Sequence, residues 1–165
     1  MKILETERLL IEEANLNDAS FFLELLNSPN WLEFIGDRNI KSLEDARKYV
    51  QESLIDNYTK NDFGFYKMSL KKSNEAIGAV GFLKRDYLDF PDIGYAILPN
   101  YEGKGYVSEA AQAVFEYGKN KLHLKEIVAF TTEENLASQK ILLKIGLHFI
   151  DKRSVEGEEI LYYST

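Results

Sequence analysis

Glu102-Gly103-Lys104-Gly105 is the stretch of this chain best suited to holding an anion. Glycines let the backbone turn so that several N–H groups face one side. The residues that follow, Val107, Ala110, Ala111, Val114, Phe115 and Gly118, recur at the i, i+3, i+4 spacing of an amphipathic helix. A helix start carries unpaired N–H donors and partial positive charge, so a glycine loop feeding one suits a phosphate or pyrophosphate. It is not a nucleotide P-loop, because no Lys-Ser/Thr follows at the required distance. Nor is it the dinucleotide fingerprint, which needs a third glycine and a βαβ repeat. Lys104 fits two roles, a phosphate contact and a solvated loop lysine. His123 and His148 stand alone, and no metal site is expected from their spacing. With no cysteine in the chain, thiolate metal sites, disulfides and a cysteine nucleophile are excluded.

The elements around the loop read as strand and helix in alternation. Before it, Ile93, Tyr95 and Ile97 alternate with Gly94 and Ala96, and Pro99-Asn100 ends the strand. Upstream, TERLLIE (6–12) reads as a strand and 15–27 as a capped helix with Phe21, Phe22, Leu25 and Leu26 on one face. An irregular break follows, holding Trp31 and Phe34. A second helix starts at Ser42, with Asp45 as the partner in a capping-box variant. Strands are expected at 64–71 and 75–83, the latter containing Gly78 and Gly81, which hint at close backbone approach. After the central helix come a strand (125–132), a helix (135–146) and a terminal strand pair (148–155, 158–163). The order βααβββαβαββ means an α/β mixed sheet with helices on its faces.

Length bounds the rest. At 165 residues and 45% hydrophobic content the chain is expected to be a single domain over 1–165 with its own core. A net charge of −7 argues against a general nucleic-acid binder. No apolar run approaches a membrane span or a signal peptide, so a cytoplasmic location is expected.

The run IGYAILPNYEGKGYVSEA, followed about thirty residues on by EENLASQKILLKIGL, closely resembles the GNAT superfamily of acyl-CoA-dependent N-acetyltransferases. With the opening TERLLIEEANLNDA and the closing LYYS, it resembles the branch containing the ribosomal-protein N-terminal (alanine and serine) acetyltransferases. The resemblance implies the GNAT fold, a twisted sheet splayed between its fourth and fifth strands, with acetyl-CoA in the cleft. It implies a pyrophosphate loop over Gly103, Lys104, Gly105, Tyr106 and Val107, where Glu102 and Val107 depart from the residues usual in relatives. It also implies a bulge in the preceding strand that frees backbone groups of Ala96, Ile97 and Leu98 for the pantetheine and the thioester carbonyl.

Asn135 and Ser138 match the superfamily's N-x-x-S pattern. Asn135 is then expected to hold the pantetheine, or to cap its helix, or both; Ser138 contacts the cofactor or protonates the leaving thiolate. Relatives often place a tyrosine acid four residues before the glycine ending this helix, but here that position is Leu142, so a tyrosine acid does not transfer. Asp92 occupies a strand position often acidic in relatives. It is either the base, acting directly or through water, or a carboxylate at a strand start. Trp31, Phe34 and Tyr87 fall where relatives line their acceptor pockets, and core or lid packing is the other role open to them. The activity implied is transfer of acetyl from acetyl-CoA to a primary amine, on a protein N-terminus or a small molecule. The partners implied are those two substrates, without metal, nucleic acid or membrane, in a monomer or homodimer. A catalytically silent acyl-CoA-binding module is the alternative.

Overall fold

Turn chemistry decides where the first strand begins and ends. In the computed structural model, which describes residues 1–165, β1 (Lys2–Glu5) and β2 (Leu9–Glu12) form a hairpin. At its turn the Thr6 N–H donates to the Leu9 carbonyl and Thr6 Oγ1 accepts from the Leu9 N–H. A single strand over 6–12 is therefore not formed: Thr6 spends its polar groups on a turn.

Asn15 opens the next segment with a capping box. Its side chain accepts from the Asn17 N–H, and the Asp18 carboxylate accepts from the Asn15 N–H. A 3-10 turn (Leu16–Asp18) leads into α1 (Ala19–Leu26), which buries Ala19, Phe22, Leu25 and Leu26. The expected irregular break instead contains a short helix, α2 (Pro29–Phe34), with Pro29 in its first turn, where a missing N–H costs nothing. Then α3 (Leu43–Tyr49) starts at Ser42, whose Oγ accepts from the Asp45 N–H. It runs through a π-helical turn (Val50–Ile55) into α4 (Asp56–Asn61).

The remaining elements are β3 (Phe65–Leu70), β4 (Ala76–Leu83), β5 (Asp92–Ile97), α5 (Tyr106–Asn120), β6 (Val128–Thr131), α6 (Leu136–Ile145), β7 (His148–Val155) and β8 (Glu158–Ser164). All eight strands share one sheet, ordered β1-β2-β3-β4-β5-β6-β8-β7. Only β5 and β6 run parallel. Phe82 abuts Gly118 of α5 and Tyr95 reaches Ser138 of α6, so α5 and α6 cover one face. On the other face Trp31 of α2 meets Phe65 edge-on at 6.3 Å. No helix is long and apolar enough to cross a membrane.

β4 sits tightly because two glycines let backbones meet. A Cβ on Gly81 would lie 2.1 Å from the Gly64 carbonyl oxygen, and one on Gly78 would lie 2.3 Å from that of Ala96. Neither obstacle is a flexible side chain. Gly81→Ala is expected to cost about 2–3 kcal/mol, measured as a drop in the denaturation midpoint; an unchanged midpoint would mean the strand yields freely.

β5 and β6 share one rung, Asp92 opposite Val128, where the Val128 N–H donates to the Pro91 carbonyl at 3.0 Å. Past it no further rung joins them and the strands part. This is the splay expected between the fourth and fifth strands, moved up one number by the extra strand β1.

Candidate active site

The gap is lined by backbone groups whose direction the sheet register settles. β5 pairs with β4 without a register shift from Leu83↔Asp92 to Gly78↔Ile97. The bulge implied by the resemblance is thus absent from this ladder. The irregularity lies one ladder over, where Ile77 is passed over between Met68↔Gly78 and Ser69↔Ala76. Leu98 donates its N–H to the Ile77 carbonyl at 2.8 Å. Strand alternation then turns the N–H groups of Ala96 and Leu98 toward β4 and those of Tyr95 and Ile97 toward the gap. Of the three residues whose backbone groups the resemblance would free, Ile97 alone turns its N–H toward the gap. Tyr95 joins it, freed by divergence of the strands and not by a bulge.

The glycine loop closes one end of this gap. A 3-10 turn (Pro99–Tyr101) follows β5; Gly103 and Gly105 then take φ of +73° and +82°, and α5 begins at Tyr106. The Glu102 carboxylate accepts from Asn30 of α2, which draws its negative charge toward that helix. Arg8, from the β1–β2 turn, braces the loop. It donates from Nη1 to the Lys104 carbonyl at 3.0 Å and from Nε to Glu109 at 2.8 Å, with its guanidinium 4.3 Å from the Tyr106 ring centre. Burial would raise the Glu109 carboxyl, but hydrogen bonds from Thr6 and Arg8 hold it below the usual range. No local signal marks Arg8 as part of the loop, since it lies 96 positions from its partner Lys104. Lys104 is exposed and Val107 is half-buried against the core.

Across the gap stands α6. Asn135 Oδ1 accepts from the Ser138 N–H at 3.2 Å, an N-cap that leaves its amide nitrogen uncommitted to the protein. Ser138 is buried, and its Oγ lies 2.8 Å from the Tyr95 hydroxyl. Burial pushes the Tyr95 phenol up to about 12. Leu142 is fully buried in the core.

Asp92 occupies the opposite face of β5, at the foot of the splay. Its carboxylate is buried and accepts from Arg85 Nε at 2.9 Å. Burial lifts it to about 6, outweighing the pull of Arg85. The Arg85 guanidinium also lies 5.0 Å from the Phe130 ring centre, so it spans β5 and β6 where they separate. Burial pushes the Tyr49 phenol up to about 12, against the pull of Arg38 and Arg85.

Trp31 shares this face. Phe65, its edge-on neighbour, comes within 3.8 Å of the Cβ position of Gly94, two residues from Asp92. The Trp31 Nε1 is buried without a hydrogen-bond partner. Phe34 is half-buried at the end of α2, and Tyr87 is exposed in the β4–β5 connection. The site therefore has two sides. Tyr95 and Ser138 lie on the α5/α6 face, and Asp92, Arg85 and Trp31 lie on the other, with the gap between them.

The chain and its fold have relatives among known proteins. The pattern describing the acetyltransferase (GNAT) domain matches residues 8–148. An uncharacterised N-acetyltransferase of Bacillus subtilis (strain 168), YnaD, is 33% identical over 159 residues, covering 94% of this chain and 90% of that protein. The ribosomal-protein-serine acetyltransferase of Escherichia coli (strain K12) is 30% identical over 124 residues, covering 74% of this chain and 64% of that enzyme. Among solved structures, RimL, a ribosomal L7/L12 alpha-N-protein acetyltransferase in complex with coenzyme A, superposes with a TM-score of 0.85 at 18% identity. That likeness covers 100% of this chain and 97% of the other.

Proposed function

The chain belongs to the GNAT acetyltransferases, and from that premise we propose that it acetylates a primary amine, on a protein N-terminus or a small molecule, by direct attack on acetyl-CoA. The observation that carries this reading is the splay itself. It offers N–H groups of a central strand to a gap that ends at a glycine loop and a helix start.

Acetyl-CoA supplies a thioester whose carbonyl carbon the amine attacks. The loop N–H groups around Gly103 to Val107 receive the pyrophosphate, and Lys104 adds a positive charge from the exposed side. Asn135 uses its free amide nitrogen on the pantetheine while its oxygen caps α6. The gap-facing N–H of Ile97, with that of Tyr95 beside it, donates to the thioester oxygen as it gains charge. The backbone of Ala96 and the side chain of Leu98 shape the same wall. Asp92 takes the proton of the attacking amine, directly or through one water; Arg85 fixes the orientation of its carboxylate. Ser138 faces the sulfur. Trp31, Phe34 and Tyr87 border the approach of the acceptor, and the unpartnered Trp31 N–H is available to it. Similarity to a ribosomal-protein-serine acetyltransferase supports trying protein N-termini first among acceptors.

The test is calorimetric titration with acetyl-CoA and with ATP. It is followed by measurement of CoA release with peptides beginning in serine or alanine, polyamines and aminoglycosides. Acetyl-CoA binding with turnover on at least one amine is expected. Tight binding without turnover on any would favour the silent acyl-CoA-binding module, and ATP binding without CoA binding would sink the reading.

A further inference from the structure

The proposed site has no tyrosine where relatives often carry one, yet a phenol still reaches it from another element. Leu142 fills that α6 position and is committed to the core. Tyr95 comes instead from β5, the other wall of the gap, with its hydroxyl 2.8 Å from Ser138 Oγ and 3.2 Å from the Ser138 carbonyl oxygen. We propose that Tyr95 is a positioning residue for acetyl transfer, holding the Ser138 hydroxyl so that its proton is directed at the sulfur of the departing CoA thiolate. This rests on the acetyl-transfer reading above and assigns a role within the same site.

Hydroxyl bookkeeping gives the geometry. Each of the two hydroxyls has one proton. When Tyr95 donates to Ser138 Oγ, the Ser138 proton is released from the pair and is free for another acceptor. When Tyr95 donates to the Ser138 carbonyl, the serine donates back to the phenol and the sulfur loses its donor. The shorter contact is the one to Oγ.

Proton affinities decide what the pair does. A phenol held near 12 is too weak an acid to hand its proton to an alkyl thiolate, since a thiol such as that of cysteine ionises near about 8.5. The pair thus supplies a hydrogen bond and keeps its protons. The C–N bond forms as the C–S bond breaks, the sulfur leaves with the bonding electron pair, and the amine proton goes to Asp92. Solvent protonates the thiolate after release. A bond to an ionised group is worth more than one between neutral partners, and here it exists only once the sulfur carries charge.

The experiment compares the unmodified protein with Tyr95→Phe, Ser138→Ala and the double variant. Tyr95→Phe keeps the ring and its packing, so the fold is retained. The first readout needs no acceptor: CoA is bound, and its thiol is titrated by the ultraviolet absorbance of the thiolate. The bound thiol is expected to ionise at a pH about one unit lower on the unmodified protein than on Tyr95→Phe. The second readout is kinetic. Tyr95→Phe is expected to lower kcat about tenfold with the KM for acetyl-CoA unchanged, and to add nothing in the Ser138→Ala background. CoA binding with the same thiol titration in all four proteins would overturn the Tyr95 assignment alone. So would a Tyr95→Phe loss that persists in full beside Ser138→Ala. Failure of the unmodified protein to bind CoA would bring down the acetyl-transfer reading and this role with it, a distinct outcome visible before any variant is made.

Discussion

Asp92→Asn is expected to lower kcat/KM by about two orders of magnitude, the low end of what a positioned base contributes. The amide keeps the size of the carboxylate and can still accept from Arg85, so the loss reports the missing base and not a collapsed site. The pH profile is the sharper measurement. The buried carboxyl is lifted from 3.8 to about 6, and the base works when ionised. Activity of the unmodified enzyme is therefore expected to fall as pH drops below about 6, and the asparagine variant is expected to lack that limb. A variant retaining full activity, or retaining the acid limb, would remove Asp92 from the chemistry.

Stability should move the opposite way across the same window. A carboxyl raised on folding holds its proton more tightly in the native state than in the unfolded chain. Its contribution is therefore favourable at low pH and is lost as pH rises from about 4 through 6. The full loss amounts to about 3 kcal/mol. At working pH the protein thus keeps an ionised carboxylate in a buried position, offset in part by Arg85. Asp92→Asn should flatten this part of the stability profile while abolishing most of the activity, a combination that a purely structural ion pair would not produce.

Gly105→Val is expected to weaken acetyl-CoA binding by about 10- to 100-fold, because a β-branched residue at φ +82° stores about 1–3 kcal/mol of strain and relaxes by turning the loop. The N–H groups proposed to receive the pyrophosphate then diverge. Calorimetry with acetyl-CoA measures the loss directly, and a thermal melt separates it from unfolding. The Cβ itself meets no backbone: its near neighbour is Arg8 Nη2 at 3.4 Å. An affinity unchanged from the unmodified protein would mean that the cofactor does not use this loop.

What the sequence made legible follows from how local each determinant is. The central strand, glycine loop and helix are set by neighbours within a few residues, as are the Ser42 and Asn135 caps, and these formed at the expected places. Gly78 and Gly81 were readable as points of close approach because nothing but missing side chains explains them inside a strand. β1 and α2 were not readable. Four and six residues are too few to show a period, and Pro29 reads as a breaker unless its place in a first turn is known. The β5 bulge failed for a different reason. Ladder register depends on the partner strand, and the irregularity fell on Ile77, which no pattern along β5 records.

Side-chain partnerships across the fold were the least legible. Arg8 with Lys104 and Glu109, Glu102 with Asn30, and Arg85 with Phe130 all join residues far apart in sequence. Tyr95 was visible only as an apolar member of an alternating run. That its hydroxyl meets Ser138 is settled by the distance between β5 and α6, which spacing along the chain does not encode.

The single rung between β5 and β6 has a consequence for association. An eight-stranded open sheet normally has two edges, but this one has four, since the inner borders of β5 and β6 also carry unpaired backbone groups. An unpaired border is a template for any extended segment that can reach it. The outer strand β7 answers that hazard with Asp151, Lys152 and Arg153 along its length. On the β5 border Tyr95, Ala96 and Ile97 carry no charge and are only half-buried, so that border lacks the same protection. Substrate bound in that gap, as proposed above, would also cover the sheet's inner edges, and the protein without it is the form most open to pairing with a foreign strand.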